Sequence, residues 1–412
     1  MVKLFENTLT SVSAPPTLVV LIPPEQYGWC QQFSEEGYNV FQLDHSPNSE
    51  EEFVVALKEA FKKLSAQSNQ DWAFISYGIG AKFLTHVREY STSGTLRACI
   101  HFLPQSGNGK DLLLRQEDGR FVPTIFHLTS TQLALHESLI AAAEAGNLEH
   151  PLRTSEYPRV AVHVYPKVPE STPFPFLMKA PALVRAGEKS STDPYIRSAT
   201  GISYTRTLEL LRRELGPHFE LEKLWEKHTL YEFVERNAPK TMSTMVAAPY
   251  VNHVPTLTGG VGFEDLARFY KVQCGSVHLN ISTVLIYVAV VTPPDTELIT
   301  VSRTVGADRI IDEMIFKCTH TTEIDYFLPG IKPTGKPLEI AIVGVINFRG
   351  DKLTFEHIYW DQASALVQLG LLSTNNLPVA GVEVARKVVD PFGLPSNSLM
   401  SKWKESEGLP ID

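Results

Sequence analysis

The segment FEHIYWD, residues 355 to 361, carries three side chains that can move protons at alternating positions. Residues two apart in a β-strand project from the same face, so His357, Tyr359 and Asp361 are predicted to stand in one row. A carboxylate whose pKa is raised by burial can take a proton next to a carbonyl, while an imidazole or phenol polarises the carbonyl oxygen. The row therefore predicts acid/base chemistry, with Asp361 as acid/base and the other two as orienting donors.

Further polar side chains are candidates for the same pocket. His320 ends another strand-like stretch and is predicted as a third orienting donor. His228 and Glu232 are four residues apart on a predicted helix and would meet on one face. Substrate binding is assigned to a set of five residues: His228, Glu232, His253, Glu313 and Trp360. Two other interpretations stay open: a satisfied structural network for the Asp–His–Tyr row, and an ordinary surface pair for the helical one.

Neither a metal nor a cofactor is predicted. Four histidines could converge, but they lack a short ligand spacing such as HxH or HExxH. The glycine-rich stretch at 259–262 lacks the Lys-Ser/Thr pair that follows a phosphate-binding loop.

The segment AFISYGIGAKF, residues 73 to 83, has the pattern of a nucleophile elbow: an apolar strand, a small-residue corner and the start of an amphipathic helix. Gly78 stands where the nucleophile would be, and it cannot form a covalent acyl intermediate. Ser76 is the alternative nucleophile, but the pattern places it on the strand rather than at the apex.

Composition restricts the class of protein. A chain of 412 residues favours at least two domains. The formal net charge of −9 argues against nucleic-acid and anionic-membrane partners, which require clustered Lys and Arg. No apolar run approaches the roughly 20 residues of a membrane helix, and the N-terminus lacks a secretory signal pattern. The four cysteines show no CxxC pairing, so we expect a reducing, cytoplasmic setting.

The first half alternates strand-like and helical patterns. Strands are predicted at 18–22, 39–43, 72–76, 98–103, 124–128 and 160–165, and the clearest helix at 50–65. This alternation predicts an α/β domain over residues 1–218, with a mostly parallel sheet and helices on both faces.

The second half has a different order of elements. A helix is predicted at 221–236, and strands follow at 298–305, 309–320, 338–349 and 352–360, with a hairpin turn at 347–351. Helices first and a meander afterwards predict an α+β domain over residues 219–385 with one curved antiparallel sheet. Residues 386–412 are predicted to be a C-terminal tail.

The first half resembles the dienelactone hydrolase branch of the α/β-hydrolases, through LVVLIPPEQYG, EEGYNVFQLD and the elbow. That resemblance implies a nucleophile at the elbow, an acid after TIFHLTSTQ and a histidine after VHVYP. Here Gly78 replaces the nucleophile, Ser130, Thr131 and Gln132 stand at the acid position, and KVPESTPFPF contains no histidine. The implied domain is a hydrolase fold whose triad is lost.

Residues 220 to 400 resemble the SnoaL-like polyketide cyclases, through THTTEIDYFLPGIKPTGKPLEI (319–340) and FEHIYWDQASALVQLGLL (355–372). The resemblance implies the cone-shaped α+β fold of nuclear transport factor 2. It also implies a general acid/base on the last strand, at the position of Asp361.

One stretch departs from this resemblance. Residues 271–292 are apolar, β-prone and nearly uncharged. We interpret part of this stretch as an insertion.

The leading hypothesis is a cofactor-independent SnoaL-like enzyme of secondary metabolism: a cyclase, isomerase or dehydratase acting on a small, largely apolar carbonyl compound. One alternative is an ester or lactone hydrolase that uses the first domain. Another is a non-catalytic ligand-binding or scaffold protein. A homodimer through the open sheet of the second domain is a further hypothesis.

Overall fold

The computed structural model describes residues 2–43, 50–91, 95–151, 156–168, 179–185, 188, 193–274, 277–281, 284–288 and 292–410. The chain forms two compact units. The first comprises Met1–Phe219 with Arg349–Asp351, and the second Glu220–Phe348 with Lys352–Asp412. The boundary predicted between residues 218 and 219 lies next to this division.

The first unit is built on a seven-stranded sheet with the order β1-β3-β2-β4-β5-β6-β7. Its strands are β1 (Val2–Phe5), β2 (Thr17–Leu21), β3 (Asn39–Leu43), β4 (Trp72–Tyr77), β5 (Leu96–Phe102), β6 (Thr124–Thr129) and β7 (Val160–Tyr165). Neighbouring strands are parallel, except that the edge strand β1 runs antiparallel to β3. The sheet is therefore mostly parallel, as its apolar strands predict, and only the antiparallel edge strand was not predicted.

Helices cover both faces of this sheet. They are α1 (Tyr27–Glu35), α2 (Glu50–Leu64), α3 (Ala81–Ser91), α4 (Leu133–Glu149) and α5 (Pro194–Glu214). One apolar cluster joins alternate sheet residues such as Val19 with residues of α2, α3 and α4. Trp29 of α1 is buried outside that cluster and packs on Tyr204 of α5, with ring centroids 5.9 Å apart. Helices α1 and α5 thus cover the opposite face.

The corner between β4 and α3 has the predicted elbow geometry. Gly78 has φ +65°, in the left-handed region that glycine adopts without steric cost. A Cβ atom added there would meet no atom within 4 Å. Ser76 lies on β4, fully buried, and its Oγ is 2.7 Å from Nδ1 of His101. The apex is therefore open but holds no nucleophile.

A serine at the apex should be tolerated. Gly78→Ser should cost about 1 kcal/mol of unfolding free energy, because only the positive φ opposes it. Gly109→Ser is a matched comparison, since its Cβ would lie 2.7 Å from the backbone nitrogen of Leu139 and should cost about 3 kcal/mol. Urea unfolding measures both values. Equal losses would contradict the open corner.

His101 makes the free energy of unfolding of the first unit depend on pH. It is fully buried, burial lowers its pKa to about 3, and its Nε2 has no hydrogen-bond partner among the described residues. A folded-state pKa below the unfolded value of about 6.5 means that the unfolded chain binds the extra proton. The contribution of His101 to the free energy of unfolding is therefore fully present above pH 6.5 and is lost as the pH falls toward 3.

We expect His101 to contribute about 2 kcal/mol to the loss of unfolding free energy between pH 7 and pH 5. In His101→Gln, which cannot take up this proton, the pH dependence should be smaller by that amount. Urea unfolding at the two pH values tests this. Identical pH dependence in both proteins would show that His101 titrates normally.

The second unit is built on a six-stranded sheet with the order β12-β13-β14-β15-β8-β9. Its strands are β8 (Met245–His253), β9 (Thr258–Val261), β12 (Glu297–Val305), β13 (Arg309–Thr319), β14 (Pro337–Arg349) and β15 (Lys352–Trp360). Strand β8 runs parallel to β15, so the sheet is mixed and not wholly antiparallel as predicted. The reason is that β8 enters from the helical part of the unit, where no strand was predicted.

The helices of the second unit are α6 (Leu221–Thr229), α7 (Ala238–Ser243), α8 (Phe263–Cys274), α9 (Gln362–Gln368) and α10 (Glu383–Val389). The predicted helix at 221–236 is α6 followed by a π-helical turn at Leu230–Val234. One apolar cluster fills the sheet face that carries Met314, Phe316 and Trp360, and we call this the core face. Helix α10 includes the first residues of the predicted tail.

Residues 271–292 comprise the end of α8 and an antiparallel hairpin of β10 (Val277–Ile281) and β11 (Val284–Val288). The side chains of residues 272–291 lie outside the described residues, and so does the prediction of an insertion there. Within the described part of the chain, no helix has both the length and the hydropathy to cross a membrane.

Candidate functional site

The predicted catalytic row, His357 and Tyr359, lies on the face of β15 opposite the core face. Trp360 is buried on the core face, stacked on Phe327 with centroids 4.3 Å apart. Because faces alternate along a strand, His357 and Tyr359 project to the other side, where Tyr359 is 42% exposed. There His357 Nε2 lies 3.1 Å from the hydroxyl of Tyr250. The prediction that this row lines a dry pocket is therefore wrong.

Asp361 is a helix cap. It follows the last residue of β15, is exposed, and its Oδ1 accepts a hydrogen bond of 3.0 Å from the backbone N–H of Ala363. An aspartate before a helix satisfies a backbone donor that has no partner within the helix. The predicted acid/base residue thus caps the N-terminus of α9 and does not face the core.

This cap predicts an ordinary stability effect. Asp361→Ala should cost about 1 kcal/mol of unfolding free energy, because an alanine cannot accept the bond from Ala363. Asp361→Asn should cost a few tenths at most, since asparagine caps helices equally well. Urea unfolding distinguishes the two. A large loss in the asparagine variant would indicate a role for the charge.

Two other predicted residues also lie apart from any common site. His320 is fully buried, and its backbone carbonyl accepts bonds from the N–H groups of Thr334 and Gly335, so it anchors the PTGK loop. Burial lowers the pKa of His320. Glu313 accepts a bond of 3.1 Å from the hydroxyl of Ser302 on the face opposite Met314. Neither residue contacts the polar cluster described next.

Four polar side chains meet within the second unit, and we call them the polar cluster: His228, Glu232, Tyr270 and Glu356. His228 Nε2 lies 3.1 Å from Glu356 Oε1 and 3.4 Å from Glu232 Oε2. The hydroxyl of Tyr270 donates to Glu356 Oε1 at 3.3 Å and lies 3.4 Å from His228 Nε2. The predicted meeting of His228 and Glu232 is confirmed, and because His228 is fully buried and the Glu232 side chain is only 15% exposed, it is not an ordinary surface pair.

Each member of the polar cluster comes from an element with an apolar environment. Helix α6 carries His228 on the side that also buries Leu221 and Trp225. Glu232 lies in the π-helical turn, Tyr270 on α8, and Glu356 on β15 two and four residues before the core-face positions 358 and 360. The cluster therefore forms only when α6, α8 and β15 pack together.

The charges of the polar cluster are strongly coupled. Burial opposes a charged imidazole, but the hydrogen bonds and charges of Glu232 and Glu356 outweigh it and raise the pKa of His228 to about 9. Burial raises the pKa of Glu232, and the nearby Glu356 carboxylate adds to this, while His228 offsets part of it. The cluster thus binds positive charge strongly.

Trp225 fixes the position of His228. The two rings stack with centroids 5.6 Å apart and planes inclined by 15°. The indole N–H donates to Asp312 Oδ2 at 3.0 Å, and Arg303 bonds both oxygens of Asp312 at 2.6 and 2.7 Å. A buried aspartate paired with an arginine thus holds the indole against the imidazole.

His253 lies next to a cavity of about 290 Å³, whose walls include Thr258, Asp265, Arg268, Phe269 and Tyr326. Its ring packs against Phe269 and Tyr326, with centroids 5.6 and 5.2 Å away. Burial lowers the pKa of His253 to about 4, although Glu356 and a backbone hydrogen bond with Thr258 oppose the shift. The Nδ1 atom is buried without a hydrogen-bond partner among the described residues. His253 is therefore a neutral imidazole with a free acceptor or donor behind the cavity wall.

Sequence reasoning missed Glu356 and Tyr270. Glu356 stands in the same segment as the predicted row, and it was overlooked because the alternation of a strand does not reveal which side is buried. Tyr270 lies on an amphipathic helix, where an aromatic residue indicates only core packing. No local signal marks either residue as part of a polar cluster.

Comparisons with known proteins give limited information. No family model matches the chain, and no curated protein matches it. Similar solved structures include an uncharacterised protein with a ketosteroid isomerase-like fold from Catenulispora acidiphila, at 13% identity, covering 38% of this chain and 96% of that chain, with a TM-score of 0.26. A protein described as a SnoaL-like polyketide cyclase from Jannaschia has 13% identity, covers 38% and 99%, and has a TM-score of 0.27. A protein described as a polyketide cyclase from Acidithiobacillus ferrooxidans has 15% identity, covers 39% and 100%, and has a TM-score of 0.27. Likeness at these values carries no argument about function.

Proposed function

We propose that the second unit is a SnoaL-like enzyme that binds a small, largely apolar carbonyl compound and cyclises, isomerises or dehydrates it by acid/base chemistry. The observation that carries this proposal is His253, a neutral imidazole whose Nδ1 has no partner among the described residues and whose ring packs on two walls of a cavity. A structural histidine in a core is ordinarily hydrogen-bonded at its buried nitrogens.

His253 is the proposed base. At pH 7 an imidazole with this low pKa is neutral and weakly basic, and it can accept a proton from the carbon next to a carbonyl when the substrate reaches its free nitrogen. Phe269 and Tyr326 supply aromatic surface for an apolar substrate. Arg268, exposed at the same cavity, supplies a positive charge for an oxygen of the substrate. Small-molecule sites commonly combine apolar walls with a few polar groups in this way.

The polar cluster shares helix α8 with the proposed site. The hydroxyl of Tyr270 is buried beside Glu356, and Phe269, the preceding residue of α8, lines the cavity. Helix α8 thus connects the cavity wall with the polar cluster.

For the first unit we propose a hydrolase-like scaffold without catalytic activity. Gly78 leaves the elbow without a nucleophile, and Ser76 is fully buried and bonded to His101. At the acid position, Ser130, Thr131 and Gln132 supply no carboxylate, and the Oγ1 of Thr131 lies 3.0 Å from that of Thr129 at the end of β6. These observations favour the second unit over the first as the seat of activity.

The test uses cells that lack the gene and are complemented with wild-type, His253→Gln or Asp361→Asn protein. Removing a general base should lower turnover by about 100-fold or more, so His253→Gln cells should accumulate the unreacted carbonyl compound. Asp361→Asn, which preserves the cap of α9, should restore the wild-type profile. Untargeted metabolite profiling measures both.

Full restoration by His253→Gln would refute the proposed base. A deletion that leaves the metabolite profile unchanged would instead favour a ligand-binding protein without turnover.

A further inference from the structure

We propose that His228, Glu232 and Glu356 form a binding site for one divalent first-row transition-metal ion such as Zn²⁺, Mn²⁺ or Fe²⁺. The three side chains offer one imidazole nitrogen and two carboxylate oxygens, all within 4.8 Å of one another. This site does not depend on the catalytic role proposed for His253.

The spacing of the donor atoms fits a bound metal ion. Bonds of about 2.0–2.2 Å from nitrogen and oxygen to a tetrahedral ion place neighbouring ligand atoms about 3.4 Å apart. The distances from His228 Nε2 are 3.1 Å to Glu356 and 3.4 Å to Glu232. Charge-assisted hydrogen bonds between such groups are shorter, about 2.7–2.9 Å.

A hydrogen-bond relay orients His228 for this role. The hydroxyl of Thr244 donates to the backbone carbonyl of Thr241 at 2.6 Å. Its oxygen therefore accepts the N–H of His228 Nδ1, which lies 2.6 Å away. Nε2 then faces the two carboxylates, and a metal ion bound there would take the place of its proton. Metal-ligating histidines are commonly held in the same way, with the other ring nitrogen donating to a fixed acceptor.

The charge balance also favours a cation. When both carboxylates are ionised they carry two negative charges, and the single imidazolium of His228 balances only one of them in a place where unpaired charge is costly. Among the described residues, no lysine or arginine forms an ion pair with Glu232 or Glu356, whose charged partner is His228. A divalent ion would neutralise both carboxylates at once.

The donor set indicates the class of metal. Imidazole nitrogen with carboxylate oxygen suits zinc, iron and manganese, whereas calcium and magnesium prefer oxygen donors alone. The hydroxyl of Tyr270, 3.3 Å from Glu356 Oε1 and 3.4 Å from His228 Nε2, is placed to be a fourth ligand or to bond a metal-bound water.

The experiment uses untagged full-length protein freed of metal with a chelator and titrated with ZnCl₂ in a calorimeter. We expect one site per chain with micromolar or tighter affinity. Glu356→Gln and Glu232→Gln remove a ligand each and should weaken binding at least about 100-fold. Glu313→Gln, on the opposite sheet face, is the matched control and should bind as the wild type does.

A second readout locates the ion. Trp225 stacks on His228, so Co²⁺ in the proposed site should quench its fluorescence. In Trp225→Phe this quenching should disappear, and zinc binding should weaken no more than about 10-fold, because phenylalanine keeps a ring against His228 but loses the bond to Asp312. Circular dichroism shows whether each variant is folded. If the glutamine variants fail to fold, Thr244→Val, which frees His228 Nδ1, should weaken binding about 10-fold.

Absence of stoichiometric binding by the wild type, or unweakened binding by the folded ligand variants, would overturn the metal site. Zinc binding together with unchanged metabolites in His253→Gln cells would leave the metal site standing and refute only the catalytic proposal. Changed metabolites in His253→Gln cells without zinc binding would refute the metal site and leave the catalytic proposal standing.

Discussion

The second unit depends on one buried and one partly buried carboxylate placed around one imidazole. Glu356 is 4% exposed and His228 is fully buried, in a unit whose core face is filled by an apolar cluster. Transfer of a carboxylate from water into such a core costs several kcal/mol, which must be offset by a proton, a metal ion or hydrogen bonds. The packing of α6, α8 and β15 supplies an imidazole and a phenol at the required distances. This constraint explains why polar residues from distant parts of the chain meet at one place.

The need to offset the cost of burying a carboxylate also accounts for the partners of the other buried charges. Asp312 is fully buried, and it is bonded by Arg303 and by the indole of Trp225. In the first unit, Glu36 is bonded by Arg212 Nη2 at 2.5 Å. Burial nevertheless raises the pKa of Glu36, with Arg212 offsetting only part of the effect. Buried ion pairs of this kind specify how elements pack more than they add to stability.

The first unit shows that the backbone geometry of an elbow can occur without a reactive side chain. The first unit keeps the strand, the left-handed corner and the helix of an elbow, although Gly78 supplies no reactive group. Such a corner follows from the geometry of a parallel strand entering a helix, so by itself it indicates no reaction. Function has to be argued from the side chains of a site, because one fold supports many activities.

The sequence by itself determined most of the secondary structure. Periodicity placed the strands at 39–43, 160–165 and 352–360 with their observed bounds, and the small-residue corner located the elbow. The sequence did not determine which face of β15 is buried, because polar and apolar side chains occur at both sets of alternating positions. Only tertiary packing decided that Glu356, and not His357 or Asp361, joins His228. Tyr270 and Thr244 reach the same place through contacts between elements that no local pattern records.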